Sequence, residues 1–161
     1  MTTARLSRRT ARTATAIGVV TLGLVALSGC EKPTPLATAT VGTKTLSVKA
    51  VCWDEGKKLA NSKLQGCLDH DGNTLKVAMG DKLRLGMESH LTEDGKGWML
   101  FVNKQAALPD VVKKTYYSLS ADQFFQPSQQ GQRPPKSVSV QIVAIKDGTA
   151  LGVWPLTLKR D

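Results

Sequence analysis

The chain has little of what most reaction chemistry needs. It holds two histidines and three cysteines in 161 residues, and aromatics make up 5%. No Gly-x-Ser-x-Gly elbow and no glycine-rich phosphate loop is present, so the usual sequence marks of an α/β-hydrolase and of a nucleotide site are missing. No segment sustains an apolar repeat of 3.6 residues, which argues against a helical bundle. No Lys/Arg-rich run is interleaved with aromatics, so nothing points to nucleic acid. The expectation is a domain with no cofactor and no resident metal.

Positive charge is present, and much of it sits at one end. Residues 1–13 contain Arg5, Arg8, Arg9 and Arg12 and no acid. Residues 14–27, ATAIGVVTLGLVAL, are apolar apart from Thr15, Thr21 and two glycines. A basic n-region followed by a short apolar h-region forms an export signal. The apolar run falls short of the roughly 20 residues of a membrane span, so a retained transmembrane anchor is the weaker reading. Ser7-Arg8-Arg9 matches part of a twin-arginine signal. Ala11 and Arg12, however, stand where that motif prefers bulky apolar residues, and either export route fits.

Cys30 closes the run Leu27-Ser28-Gly29-Cys30. This run resembles the lipobox of bacterial lipoproteins. The resemblance implies that residues 1–29 are a signal cut just before Cys30, whose sulfur then carries diacylglycerol. It implies an extracytoplasmic protein held by that lipid on the outer face of the plasma membrane. The plainer alternative is a secreted protein with a free thiol. Loss of residues 1–29 leaves 132 residues, enough for one domain. It also takes Lys+Arg from 22 to 18 against 13 Asp+Glu, so the formal charge falls from +9 to +5. A scattered excess of that size suits a position near anionic lipid or wall polymer, and equally suits an ordinary solvated surface.

Lipidation of Cys30 removes one cysteine from an odd count. Cys52 and Cys67 then remain in an oxidising compartment and are expected to form a disulfide. Closing a loop of about 15 residues stabilises by roughly 3 kcal/mol in the chain-entropy model. A metal pair is the alternative, without a Cys-x-x-Cys spacing to support it.

Residues 30–39 are rich in Pro, Thr and Ala and read as a tether, with a single domain over 40–161. Within the domain, period-2 alternation recurs at Leu46–Cys52, Leu75–Met79, Leu83–Met87, Val138–Ala144 and Trp154–Leu158. Trp98–Val102 is apolar in both phases and reads as a central strand covered on both sides. Asp71-Gly72, Gly80-Asp81, Asp94-Gly95 and Asp147-Gly148 supply turns between these runs. Short helices are expected near Lys57–Leu64 and at Asp122–Phe125. The stretch 126–136, QPSQQGQRPPK, reads as an exposed loop, since Pro134-Pro135 cannot join a ladder. About seven short strands imply an all-β, immunoglobulin-like β-sandwich, with a small β-barrel as the alternative.

Candidate sites in the domain each have an ordinary explanation. Asp69-His70-Asp71-Gly72-Asn73 looks like a calcium loop, but the sixth and twelfth positions are Thr74 and Gly80 where an EF-hand needs Gly and Glu. His70 and His90 with Glu88 or Asp71 would make a metal site only if the fold united them. Ser89-His90 are adjacent, which in a strand points them apart. Asp54-Glu55 and Glu93-Asp94 read as solvated turns. Trp98 and Trp154 read as core anchors, while Trp53 stands outside the strong strand patterns. Tyr116, Tyr117, Phe124 and Phe125 are candidates for a partner surface, because neighbours in an extended chain face opposite ways. Burial of both pairs is the ordinary alternative.

Across its mature length the chain resembles small actinobacterial cell-envelope lipoproteins of unknown function. The resemblance rests on the Arg-rich signal, the 27–30 lipobox, the pair Cys52 and Cys67, Gly97-Trp98 opening an apolar strand, and Gly152-Val153-Trp154 before the last strand. It implies an envelope location and supplies no catalytic residues. The leading expectation is a non-catalytic module that binds or supports an envelope protein or wall polymer. A small-ligand or metal carrier and an envelope hydrolase are the alternatives.

Overall fold

The structure is a computed structural model, and it describes residues 33–127 and 133–161. Residues 1–32, including the signal and Cys30, and the centre of the 126–136 loop lie outside the described residues.

Ten strands are present among the described residues. They are β1 (Leu36–Val41), β2 (Lys44–Lys49), β3 (Cys52–Trp53), β4 (Asn73–Val77) and β5 (Lys82–Met87), followed by β6 (Lys96–Val102), β7 (Gln105–Ala106), β8 (Tyr116–Ser120), β9 (Ser137–Lys146) and β10 (Thr149–Arg160). One helix, α1 (Asn61–Leu68), and two 3-10 turns, Ser89–Leu91 and Ala121–Phe125, complete the chain.

The strands form two sheets and no closed barrel, which makes an all-β sandwich. Sheet A has the order β2-β1-β5-β8, and sheet B the order β3-β10-β9-β6-β7. Neighbours are antiparallel except β4, which runs parallel to β10 along Leu156–Arg160. Since β9 occupies one edge of β10 throughout, β3 and β4 share the other edge.

Alternation produces this arrangement directly. Ala37, Ala39 and Val41 of β1 are buried and pair with Met87, Leu85 and Leu83 of β5, so one face of sheet A is continuously apolar. It packs on Trp98, Leu100, Val140, Ile142, Trp154 and Leu156 of sheet B. The β9–β10 hairpin turns at Asp147-Gly148, where both residues have positive φ (50° and 72°). That is the backbone of a two-residue turn matching the twist of the strands.

Sheet B is buried on both faces. Its outer face carries a second cluster in which Leu59 and Cys67 cover Val143, Ala150 and Val153. The strands covered on both sides are β9, where Gln141 through Ala144 are all buried, and β10, where Ala150 through Leu156 are. Trp98–Val102, expected in that role, is fully covered only in its Trp98 and Leu100 phase.

Three boundaries differ from the sequence reading. The sandwich begins at Leu36, not near Thr40, because Pairing with β2 and β5 makes a strand of LATATV. The helix lies at Asn61–Leu68 in place of Lys57–Leu64. Leu59 is hydrogen-bonded from its N–H to the Ala150 carbonyl (2.8 Å), so the segment before the helix is spent on sheet B. Tyr116–Ser120, unassigned by alternation, is an edge strand.

Candidate interaction surface

The described chain begins in a clamp. Pro35 is buried, and its carbonyl accepts a hydrogen bond from Trp154 Nε1 at 2.8 Å. The next residue, Leu36, donates its N–H to Glu88 Oε1 at 2.7 Å. Trp154 belongs to sheet B and Glu88 follows the last residue of sheet A's β5, so the chain is fixed at the seam between the sheets. Burying an indole without a partner for its N–H is costly, and Pro35 supplies that partner.

Glycines make room around this seam. A Cβ on Gly152 would lie 2.7 Å from the Trp154 ring and 2.8 Å from Trp53. The two indoles pack tilted, with centroids 5.7 Å apart. A Cβ on Gly97 would meet Val111 Cγ1 at 2.5 Å and the Val112 carbonyl at 2.8 Å. Gly97 therefore admits the segment that crosses from sheet B to β8, which is fixed by paired backbone hydrogen bonds between Trp98 and Val112 (2.8 and 3.0 Å). Trp98 Nε1 ties down the same segment through the Lys114 carbonyl at 2.9 Å. Trp98 and Trp154 are fully buried core anchors.

In contrast to sheet B, sheet A leaves its outer face open. Register places Thr45, Thr40, Arg84 and Ser118 in one row across the four strands. Ser47, Thr38, Gly86 and Tyr116 form the next. The outward positions of the four strands carry the cations Lys49, Lys82 and Arg84 and no carboxylate. The Arg84 guanidinium lies over the Tyr116 ring, 5.4 Å from its centroid. Such a contact is worth about 0.5–1 kcal/mol at an exposed site, enough to orient a ring but not to hold a fold.

The outer edge of β8 is open as well. Met87 N–H donates to the Thr115 carbonyl, and Ala121 N–H to the Asp81 carbonyl, both at 2.8 Å. With the two-residue period of an antiparallel ladder, 115, 117, 119 and 121 face β5. Tyr116, Ser118 and Ser120 then turn their backbone N–H and C=O groups away from the sheet. Beside this edge, Leu108–Lys114 and Tyr117 line an open groove of about 390 Å³.

The aromatic pairs expected at a partner surface divide. Tyr116 (57% exposed) and Tyr117 (38%) lie on the open edge. Phe124 and Phe125 do not join them, being 5% and 1% exposed in the core. They sit in the 3-10 turn Ala121–Phe125, where successive side chains are about 120° apart, so neighbours need not face opposite ways.

Cys52 and Cys67 are joined, with Cα atoms 6.0 Å apart, inside the usual disulfide range. The bond fastens α1 to β3 on the outer face of sheet B, away from the main core between the sheets. Gln141 strengthens the same attachment. It is 1% exposed, and its Nε2 donates to the Leu68 carbonyl (3.3 Å) and to Ser139 Oγ (2.8 Å). Alternation placed Gln141 on a wet face, and nothing in the local pattern marks that face as covered by a helix.

The polar candidates stay separate. His70 is exposed just beyond α1. His90 lies in the 3-10 turn with Ser89, its Nδ1 3.5 Å from Glu88 Oε2. Ser89-His90 is thus not in a strand. Asp54, Glu55, Glu93 and Asp94 are exposed in turns. Among the described residues no three His, Cys, Asp or Glu side chains gather to hold a metal ion. Cys30 lies outside the described residues. Comparison with known proteins finds no matching family model, no matching curated protein and no matching solved structure.

Proposed function

We propose that this protein is a lipid-anchored, non-catalytic module of the cell envelope that engages another envelope component through sheet A and the edge of β8. The observation that carries the reading is the asymmetry of the sandwich. Sheet B is covered on both faces, while sheet A presents hydroxyls, three cations, no acid and an oriented Tyr116 to solvent. Tyr and Arg are the residues that dominate binding when a partner buries them. Three cations with no ion pair among the described residues favour an anionic partner, such as a wall polymer or an acidic protein surface. The lipobox at 27–30 and the resemblance to small actinobacterial lipoproteins support the location.

A photo-crosslinking residue placed at Ser118 tests this in intact cells, with one at Lys63 on α1 as its control. The reading expects a discrete adduct from Ser118 and none from Lys63. Equal adducts from both, or none from Ser118, contradict it.

A small apolar ligand is the second reading, carried by the groove beside Tyr117. Binding of an apolar fluorescent probe that is lost in Val111→Asp would favour it.

A further inference from the structure

We infer that the domain stands on the membrane by the end at which its chain enters, with Lys49, Lys113 and Lys114 against anionic lipid headgroups and Tyr116 among them. This inference rests on the lipid-anchored reading above. Its first support is the length of chain between Cys30 and the sandwich. Two residues separate Cys30 from Pro33, and Pro35, the first residue held by the domain, is five peptide steps from Cys30, a reach of at most about 18 Å. Pro35 and Leu36 are held by Trp154 and Glu88, so the tether ends there. Attraction between a cation and an anionic surface extends about one Debye length, roughly 8 Å at physiological ionic strength. The tether keeps this end of the domain the nearest to the surface, and a partly bent chain brings its cations within that zone.

The second support is what surrounds Leu36. Lys49 is its partner in the β1–β2 ladder. Met87, at the same end of β5, is hydrogen-bonded to Thr115, next to Lys114 and Tyr116. Val51 is 41% exposed two residues after Lys49, and Val111 is 38% exposed in the crossing segment. Cations mixed with exposed Tyr and Val suit a headgroup layer, where amphipathic rings and lysine stems lie between water and hydrocarbon. Glu88 is a carboxylate at the start of β1, and one of its oxygens accepts from the Leu36 N–H; Glu31 is the acid of the tether. Asp110 is the acid of the adjoining groove, which Lys113 and Lys114 also line.

In this orientation the strands of sheet A rise from the bilayer. A six-residue strand spans about 20 Å, so Met79 and the β1–β2 turn stand farthest away. Lys49 and Tyr116 then lie at the lipid, and the outer face of sheet A from the Thr45–Ser118 row to Lys82 is left open to a partner.

The test uses the full chain, purified with its lipid and reconstituted in vesicles of phosphatidylglycerol and phosphatidylcholine containing a headgroup-nitroxide lipid. A fluorophore is attached through Tyr116→Cys or through Met79→Cys, both at exposed sites. Quenching several-fold stronger at 116 than at 79 is expected, with the difference reduced by phosphatidylcholine alone, by high salt, or by the triple variant Lys49→Gln, Lys113→Gln, Lys114→Gln. A lipidated protein whose two positions are quenched equally overturns the seating while leaving the anchor intact. A protein that mass spectrometry finds without lipid removes the anchor itself, and the seating with it. Protection of position 116 in cell envelopes but not in pure lipid would assign this end to a protein partner and also overturn the inference.

Discussion

Trp154 donates its indole N–H to the carbonyl of Pro35 across 119 positions of sequence, at 2.8 Å and fully buried. This contact joins the last strand of the domain to the point where the chain arrives from Cys30. It makes the start of β1 part of the core. Under the proposed lipid anchor, a pull on the chain before Pro35 is borne by the sandwich.

Trp154→Phe removes the donor and keeps most of the ring. The Pro35 carbonyl is then buried without a partner, and a loss of about 1–3 kcal/mol in unfolding free energy is expected. Amide exchange at Ala37 and Ala39 should accelerate more than exchange in β9. Unchanged stability and unchanged exchange would show that the clamp carries no load.

Gly152→Ala places a methyl group 2.7 Å from the Trp154 ring, and Gly97→Ala one at 2.5 Å from Val111. Overpacking of this kind costs about 1–3 kcal/mol. Gly66→Ala in α1 meets nothing within 4 Å and is expected to stabilise by about 0.5–1 kcal/mol. Chemical denaturation of the three variants checks both signs.

Reduction of the Cys52–Cys67 bond, or Cys52→Ser with Cys67→Ser, should cost roughly 3 kcal/mol for a loop of 15 residues. Because the bond fastens α1 to the outer face of sheet B, amides of α1 should lose protection first, with those of β1 and β5 nearly unaffected. Intact-mass measurement with and without reductant should differ by two hydrogens.

Arg84→Ala and Tyr116→Ala alter an exposed face, so each should change stability by less than about 0.5 kcal/mol. Each should nevertheless weaken the Ser118 adduct in cells. Loss of the adduct through loss of folding would be visible as a lowered melting temperature, which is not expected.

Sequence reading captured the strands that carry strong contrast between faces. Leu83, Leu85 and Met87 alternate with Lys82 and Arg84, and β5 is where that pattern places it. The first half of β1 reads as tether because its buried residues are Ala37 and Ala39, whose small side chains give weak alternation and which are buried by strands on both sides. β8 gave no pattern because an open edge strand exposes residues on both faces, and three of its five residues are exposed. The candidate surface was half legible. Tyr116 and Tyr117 stand out as adjacent aromatics, one of which an extended chain exposes, whereas the row from Thr45 to Ser118 depends on the pairing of strands distant in sequence. The open face of sheet A was illegible for the same reason, since no local signal says that α1 covers the other sheet.

The claim on which the rest depends is the lipid on Cys30. Mass spectrometry of the N-terminal peptide from the native membrane-extracted protein measures it directly. The account predicts a peptide beginning at Cys30 with diacylglycerol on its sulfur, and release of the protein from the membrane fraction in Cys30→Ala. A native peptide carrying Cys30 as a free thiol, or a Cys30→Ala protein still retained by membranes, would contradict it.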